Sequence, residues 1–174
     1  MDADFGELIV RWTARLAVAA YALRLIADLH GWPEEPDRRA RREQLVRSVW
    51  TAGGIVYVLH VAAAFHFVHH WSHTAAVDHT ARQTGAVTGW HWGGGLWIND
   101  AFTLWWPLDI AWSWRRSLDR LPRWYVVALH TITGFLMYNA TVVFGPPWWR
   151  WAASALILGT ALTFIRRLTQ TPQC

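Results

Sequence analysis

Residues Val49–Trp71 read VWTAGGIVYVLHVAAAFHFVHHW, and this stretch decides the fold. It contains no Asp, Glu, Lys or Arg, and as a helix it is long enough to cross a bilayer, which takes roughly 20 residues. A helix in a soluble bundle carries charge every three or four residues on its outer face. This one carries none. Three further runs share the pattern: Leu96–Trp114, Trp124–Phe144 and Trp148–Ile165, with interior charge limited to Asp100 and Asp109. All four are expected to span a membrane.

A fifth candidate, Leu8–Leu29, carries Arg11, Arg15, Arg24 and Asp28, leaving Leu16–Leu23 as its uncharged centre. Arg11 and Arg15 can snorkel toward one interface, while Arg24 and Asp28 have the i,i+4 separation of a helical ion pair. The segment either spans or lies as an amphipathic helix in the interface. The expected fold is therefore an all-α polytopic membrane bundle of four or five transmembrane helices, one membrane domain over residues 1–174.

The arginines orient it. All 16 basic residues are Arg, and the pI is near 10.0. The 31–48 loop holds Arg38, Arg39, Arg41, Arg42 and Arg47; the 115–123 loop holds Arg115, Arg116, Arg120 and Arg123; the tail holds Arg166 and Arg167. The opposite side has Arg82 and Arg150, beside the acidic residues Asp2, Asp4 and Glu7. By the positive-inside rule, the first group and the C-terminus face the cytoplasm, and the 72–95 loop faces the periplasm of a bacterial inner membrane. Basic charge thus reads as topology, not as a nucleic-acid surface; the expected partners are the lipid bilayer and other membrane subunits or further copies of the chain. The mean hydropathy of only +0.11 reflects these arginines diluting strongly apolar spans. No cleavable signal peptide is expected, because the start is acidic. The single cysteine, Cys174, excludes an intrachain disulfide and a paired-cysteine metal site.

Histidine is the unusual residue: nine in 174, with His60, His66, His69, His70 and His73 close together. The last four fall at i, i+3, i+4 and i+7, within an arc of about 100° on an unbroken helix. His66/His70 and His69/His73 have the separation with which adjacent helical turns chelate one metal ion. Neutral imidazole suits Cu, Fe and Zn. The expected site is a transition-metal centre, Cu or Fe ahead of Zn, at the periplasmic end of the second span. Its ligands are His66, His69, His70 and His73, with His91 and Asp100 as additions. His79 joins only if the chain bends after His73. This makes a redox or metal-binding subunit of a larger membrane complex the leading expectation. No nucleophile or acid–base constellation identifies an enzyme reaction.

The string His66-Phe67-Val68-His69-His70 resembles the HxxHH box of membrane fatty-acid desaturases and hydroxylases, whose histidine boxes hold two irons. The resemblance covers five residues. That family carries three boxes on the cytoplasmic side, whereas one box, on the opposite side, is found here.

Two other readings stand beside the metal centre. His60, mid-span, and His130, two turns into the Trp124 span, offer the two axial ligands of a haem b electron-transfer anchor. Alternatively the histidines only hydrogen-bond, in a structural or assembly subunit. Asp109 lies deep in its span, where it could carry protons, pair with an arginine of the first segment or stay neutral. Most of the 15 tryptophans fall near span ends, as an interfacial aromatic belt requires.

Overall fold

The computed structural model describes residues 2–143 and, beyond them, residues 145, 148, 151, 154, 155, 158 and 159. Among these, all regular structure is helical, in five α-helices: α1 Asp2–Leu29, α2 Pro36–Ala63, α3 His73–Thr88, α4 Gly95–Ser113 and α5 Arg123–Tyr138. A π-helical turn, Ala64–Val68, extends α2, and another, Asn139–Val143, extends α5. Pro36–Val68 and Arg123–Val143 are long and apolar enough to cross a membrane. Asn99, Asp100 and Asp109 lower the apolarity of α4, as Glu7 and the arginines do for α1.

The ends follow local chemistry. Gly31, at φ +67°, takes the left-handed position after α1, where a side chain would be strained. Pro36 then opens α2 at a position where its missing N–H costs nothing. α1 and α2 form an antiparallel hairpin with small residues at its seam. A Cβ on Gly53 would lie 2.5 Å from the Ala20 Cβ, and one on Gly54 would lie 2.5 Å from the Ile110 side chain. At Gly53 only glycine lets α1 and α2 approach so closely, while Gly54 leaves room for the Ile110 side chain of α4. Trp50 and Trp106 fill the core beside this seam, both fully buried, with ring centroids 4.4 Å apart. Tyr57, Phe102, Ala17, Tyr21 and Met137 complete the cluster. Gly53→Val is expected to force α1 off α2 and lower the melting temperature in detergent by several degrees, as overpacking costs about 1–3 kcal/mol; an unchanged melt would show that the seam opens freely.

Four boundaries differ from the sequence reading. α2 begins at Pro36 rather than near Val49, so most of the arginine-rich segment is helix, not loop. Its N-terminal half is tied down by Arg47, which donates to Glu43 at 2.9 Å and to the Ser113 carbonyl at 3.0 Å. The helix also stops at Val68, before Trp71, because His70 (φ 49°) and Trp71 (φ 59°) turn left-handed and reverse the chain. The 72–95 loop holds a full helix, α3, whose first turn is capped by Ser72 Oγ accepting from the Ala75 N–H. α1 reaches back to Asp2. The expected last span, 148–165, lies mostly outside the described residues; positions 151, 154, 155, 158 and 159 are helical and exposed.

Candidate functional site

A cavity of about 710 Å³ lies between α1, α2, α3, α4 and α5, at the end of the bundle where α3 packs. Ala17 and Val18 of α1, Tyr57 and Val61 of α2, and Leu136 and Met137 of α5 form its apolar wall. The rest of the lining is polar and includes His60, His69, His79, Asn99 and Asp100, with Arg11 and Arg15 on α1. This size and mixture of apolar lining with a few convergent polar groups match a small-molecule site.

The chain reversal rebuilds the histidine cluster. Because the helix breaks after Val68, His66, His69, His70 and His73 do not share one face. His66 is exposed, and its Nδ1 accepts from the Trp71 indole at 3.2 Å. His70 is exposed in the left-handed turn, and His91 lies exposed over Gly85 of α3. None of these three lines the cavity. His69 does, and the bend carries His79, one helix turn and a half into α3, against it: the ring centroids are 5.3 Å apart at 68°. His73, the first residue of α3, pairs through Nε2 with Asp100 Oδ2 at 3.0 Å. Phe65 sits between the pairs, 5.7 Å from the His69 ring and 6.3 Å from His73. Among the described residues, no group of three or more His, Cys, Asp or Glu side chains is placed to hold a metal ion. The arrangement is two pairs, not one four-histidine cage.

The signal for His79 was present in the sequence. Ser72 followed by an alanine-rich segment is a helix start, and a new start requires a break ahead of it. His69 is held below the ordinary histidine range by burial first, and then by its neighbours His79 and His70. A depressed histidine contributes stability that is fully present above the unfolded value of 6.5 and is lost as pH falls through the folded value. Melting temperatures taken from about pH 8 to pH 5 are expected to fall with acid, and His69→Gln is expected to flatten that fall. An identical slope in the variant would remove His69 as its source.

The two histidines of the haem reading do not meet. His60 Nδ1 donates to the Val10 carbonyl at 3.0 Å, near the start of α1. His130 Nε2 bonds Asp28 Oδ2 at 3.0 Å, at the other end of the same helix. Eighteen residues of α1, about 27 Å at 1.5 Å each, separate these partners. One haem cannot bridge them.

His130 belongs to a buried polar cluster at the C-terminal end of α1. Arg24, 1% exposed, bonds Asp28 through Nε at 2.7 Å, the i,i+4 pair expected from sequence. Asp109 accepts from the Trp50 indole at 2.7 Å and from the Tyr125 hydroxyl. No arginine forms an ion pair with Asp109 among the described residues. The Tyr21 hydroxyl donates to the His130 carbonyl at 3.2 Å, tying α1 to α5.

No family model, curated protein or solved structure matches the chain.

Proposed function

We propose that the chain is a multipass protein of a bacterial cytoplasmic membrane that binds one transition metal ion, Cu or Fe ahead of Zn, through His69 and His79. It serves as a redox or metal-binding subunit of a larger membrane complex. α1, α2, α4, α5 and the 148–165 segment cross the bilayer, with the arginine-rich ends and the C-terminus in the cytoplasm and α3 outside. Support for the spans comes from the outward apolar residues on each described helix: Leu16 and Leu23, Ile55 and Leu59, Leu104 and Leu108, Val127 and Phe135, all more than half exposed. Such a girdle is costly in water and needs lipid or protein around it.

The separation of the His69 and His79 rings carries the metal reading. With metal–nitrogen bonds of about 2.0–2.1 Å and a tetrahedral angle, two coordinated imidazoles have centroids about 5 Å apart, matching the 5.3 Å separation. Burial shifts His69 toward the neutral form, the form that ligates. The remaining coordination positions face the cavity, where water or a bound molecule fills them. His73 and Asp100 form a carboxylate–histidine pair at the same rim and help to hold α3 against α4. The deciding experiment is metal analysis of the protein purified without an affinity histidine tag and reloaded with Cu, Fe or Zn. About one equivalent is expected, and none for any of the three would overturn the reading in favour of a structural subunit.

A further inference from the structure

The lining of the cavity also holds a cation that the metal reading does not use. Arg11 and Arg15 lie one turn apart on the face of α1 that lines the cavity. Arg11 is exposed and already paired with Glu7. Arg15 is half-buried, and among the described residues no carboxylate pairs with it and no acceptor takes its N–H groups. Its guanidinium lies 4.9 Å from the Trp12 ring centroid and 5.3 Å from that of Trp148. Stacking on indoles orients the planar group and restricts its motion, but satisfies none of its five donors. A guanidinium held at the wall of a cavity, with no acceptor on its donors among the described residues, is arranged to receive an anion in a bidentate grip.

The rest of the cavity says what accompanies the anion. From Arg15 the lining continues along α1 through Ala17 and Val18 to Leu136 and Met137 of α5, all apolar. From Val10 to Val18 the wall extends about 12 Å along the helix axis. A free inorganic ion uses none of that surface, whereas an acyl chain fills it. We propose that this cavity binds an amphiphile with an anionic headgroup, a phospholipid or a fatty acid, whose phosphate or carboxylate is held by Arg15 and whose chain lies against Val18, Leu136 and Met137. The site stands apart from the metal ion, since no imidazole is needed to hold the anion.

The test uses the full chain, stripped of metal with a chelator, in a neutral detergent. Native mass spectrometry counts bound dioleoyl phosphatidylglycerol, dioleoyl phosphatidylcholine and oleate, each added separately. One equivalent of phosphatidylglycerol or oleate is expected to be retained at least tenfold more tightly than phosphatidylcholine. Arg15→Gln is expected to erase that preference, Arg15→Lys to restore part of it, and Arg11→Gln to leave it within about twofold, because Arg11 is already neutralised by Glu7. Leu136→Trp, which fills the apolar end, is expected to expel both lipids while Arg15 remains. Circular dichroism and gel filtration confirm that each variant is folded. Equal retention of the two phospholipids, or a preference that survives Arg15→Gln, would overturn the proposal. Displacement of bound lipid by millimolar inorganic phosphate alone would overturn the acyl-chain part and leave a simple anion site. Lipid is counted on metal-free protein and metal on separately reloaded protein: no lipid preference with about one equivalent of metal bound on reloading overturns this proposal alone, and lipid preference with no metal bound on reloading overturns the metal reading alone.

Discussion

Replacing His69 and His79 together by alanine is expected to abolish metal binding by the purified protein, lowering the bound metal from about one equivalent to background. Replacing His66 and His70 together is expected to leave it within about a quarter of the wild-type value. The contrast is sharp because an unbroken helix makes the opposite forecast. On such a helix His66 and His70 form a chelating pair, and His79 points away. The left-handed residues His70 and Trp71 undo that register and turn His66 and His70 outward. Each remaining imidazole supplies one bond, so a single replacement should weaken binding by orders of magnitude and the pair should eliminate it. Metal content by mass spectrometry on desalted protein reads both arms. Metal retained by the His69/His79 variant and lost from the His66/His70 variant would mean that the helix continues through the turn in the membrane.

Asp28→Asn is expected to be the most damaging single replacement in the Arg24–Asp28–His130 cluster, lowering stability by about 3–5 kcal/mol, because it leaves a buried guanidinium without its counter-charge. Arg24 is 1% exposed and its side chain reaches Asp28 from the same face of α1. One of its terminal nitrogens already lacks a hydrogen-bond partner, so no spare acceptor stands ready to take over. His130, which also leans on Asp28, loses its carboxylate in the same stroke. Arg24→Met combined with Asp28→Leu removes both charges and is expected to recover most of the loss, since an apolar pair of similar volume avoids the desolvation cost. What remains is the unpaired His130 nitrogen, worth about 1–3 kcal/mol. Unfolding by sodium dodecyl sulfate titration in mixed micelles measures all three proteins. A drop below about 1 kcal/mol for Asp28→Asn would show that water reaches the pair.

Much of the architecture was legible along the chain, for one physical reason. Apolar composition over roughly 20 residues is a property of the segment itself and needs no partner to be read. The Arg24–Asp28 pair was legible on the same ground, as both members sit on one helix, four residues apart. The ends of α2 were not. Arginines within a helix and arginines in a loop look alike when only charge is counted, so the segment from Pro36 onward read as loop. The break after Val68 has no proline or glycine to announce it; its weaker marker is Ser72 capping α3.

The pairing of distant residues lay beyond any periodicity. Asp109 ends on Trp50 and Tyr125, His130 on Asp28, and His60 on the backbone of α1. Each partner is on another helix, at a depth fixed by how the helices slide past one another. The glycine seam at Gly53 and Gly54 sets that slide, through contacts with Ala20, Trp106 and Ile110.

By itself the sequence determined an apolar helical chain, arginines clustered in a few segments and an excess of histidine between residues 60 and 79. Those properties are sums over single residues or over neighbours on one helix, so no folding is needed to see them. The tertiary structure alone decided which histidines face each other. One reversal at His70 and Trp71 exchanged His66 and His70 for His79 and opened His69 to a cavity shared by five helices. A contact between residues on different helices depends on where the chain turns, and two left-handed residues were enough to move it.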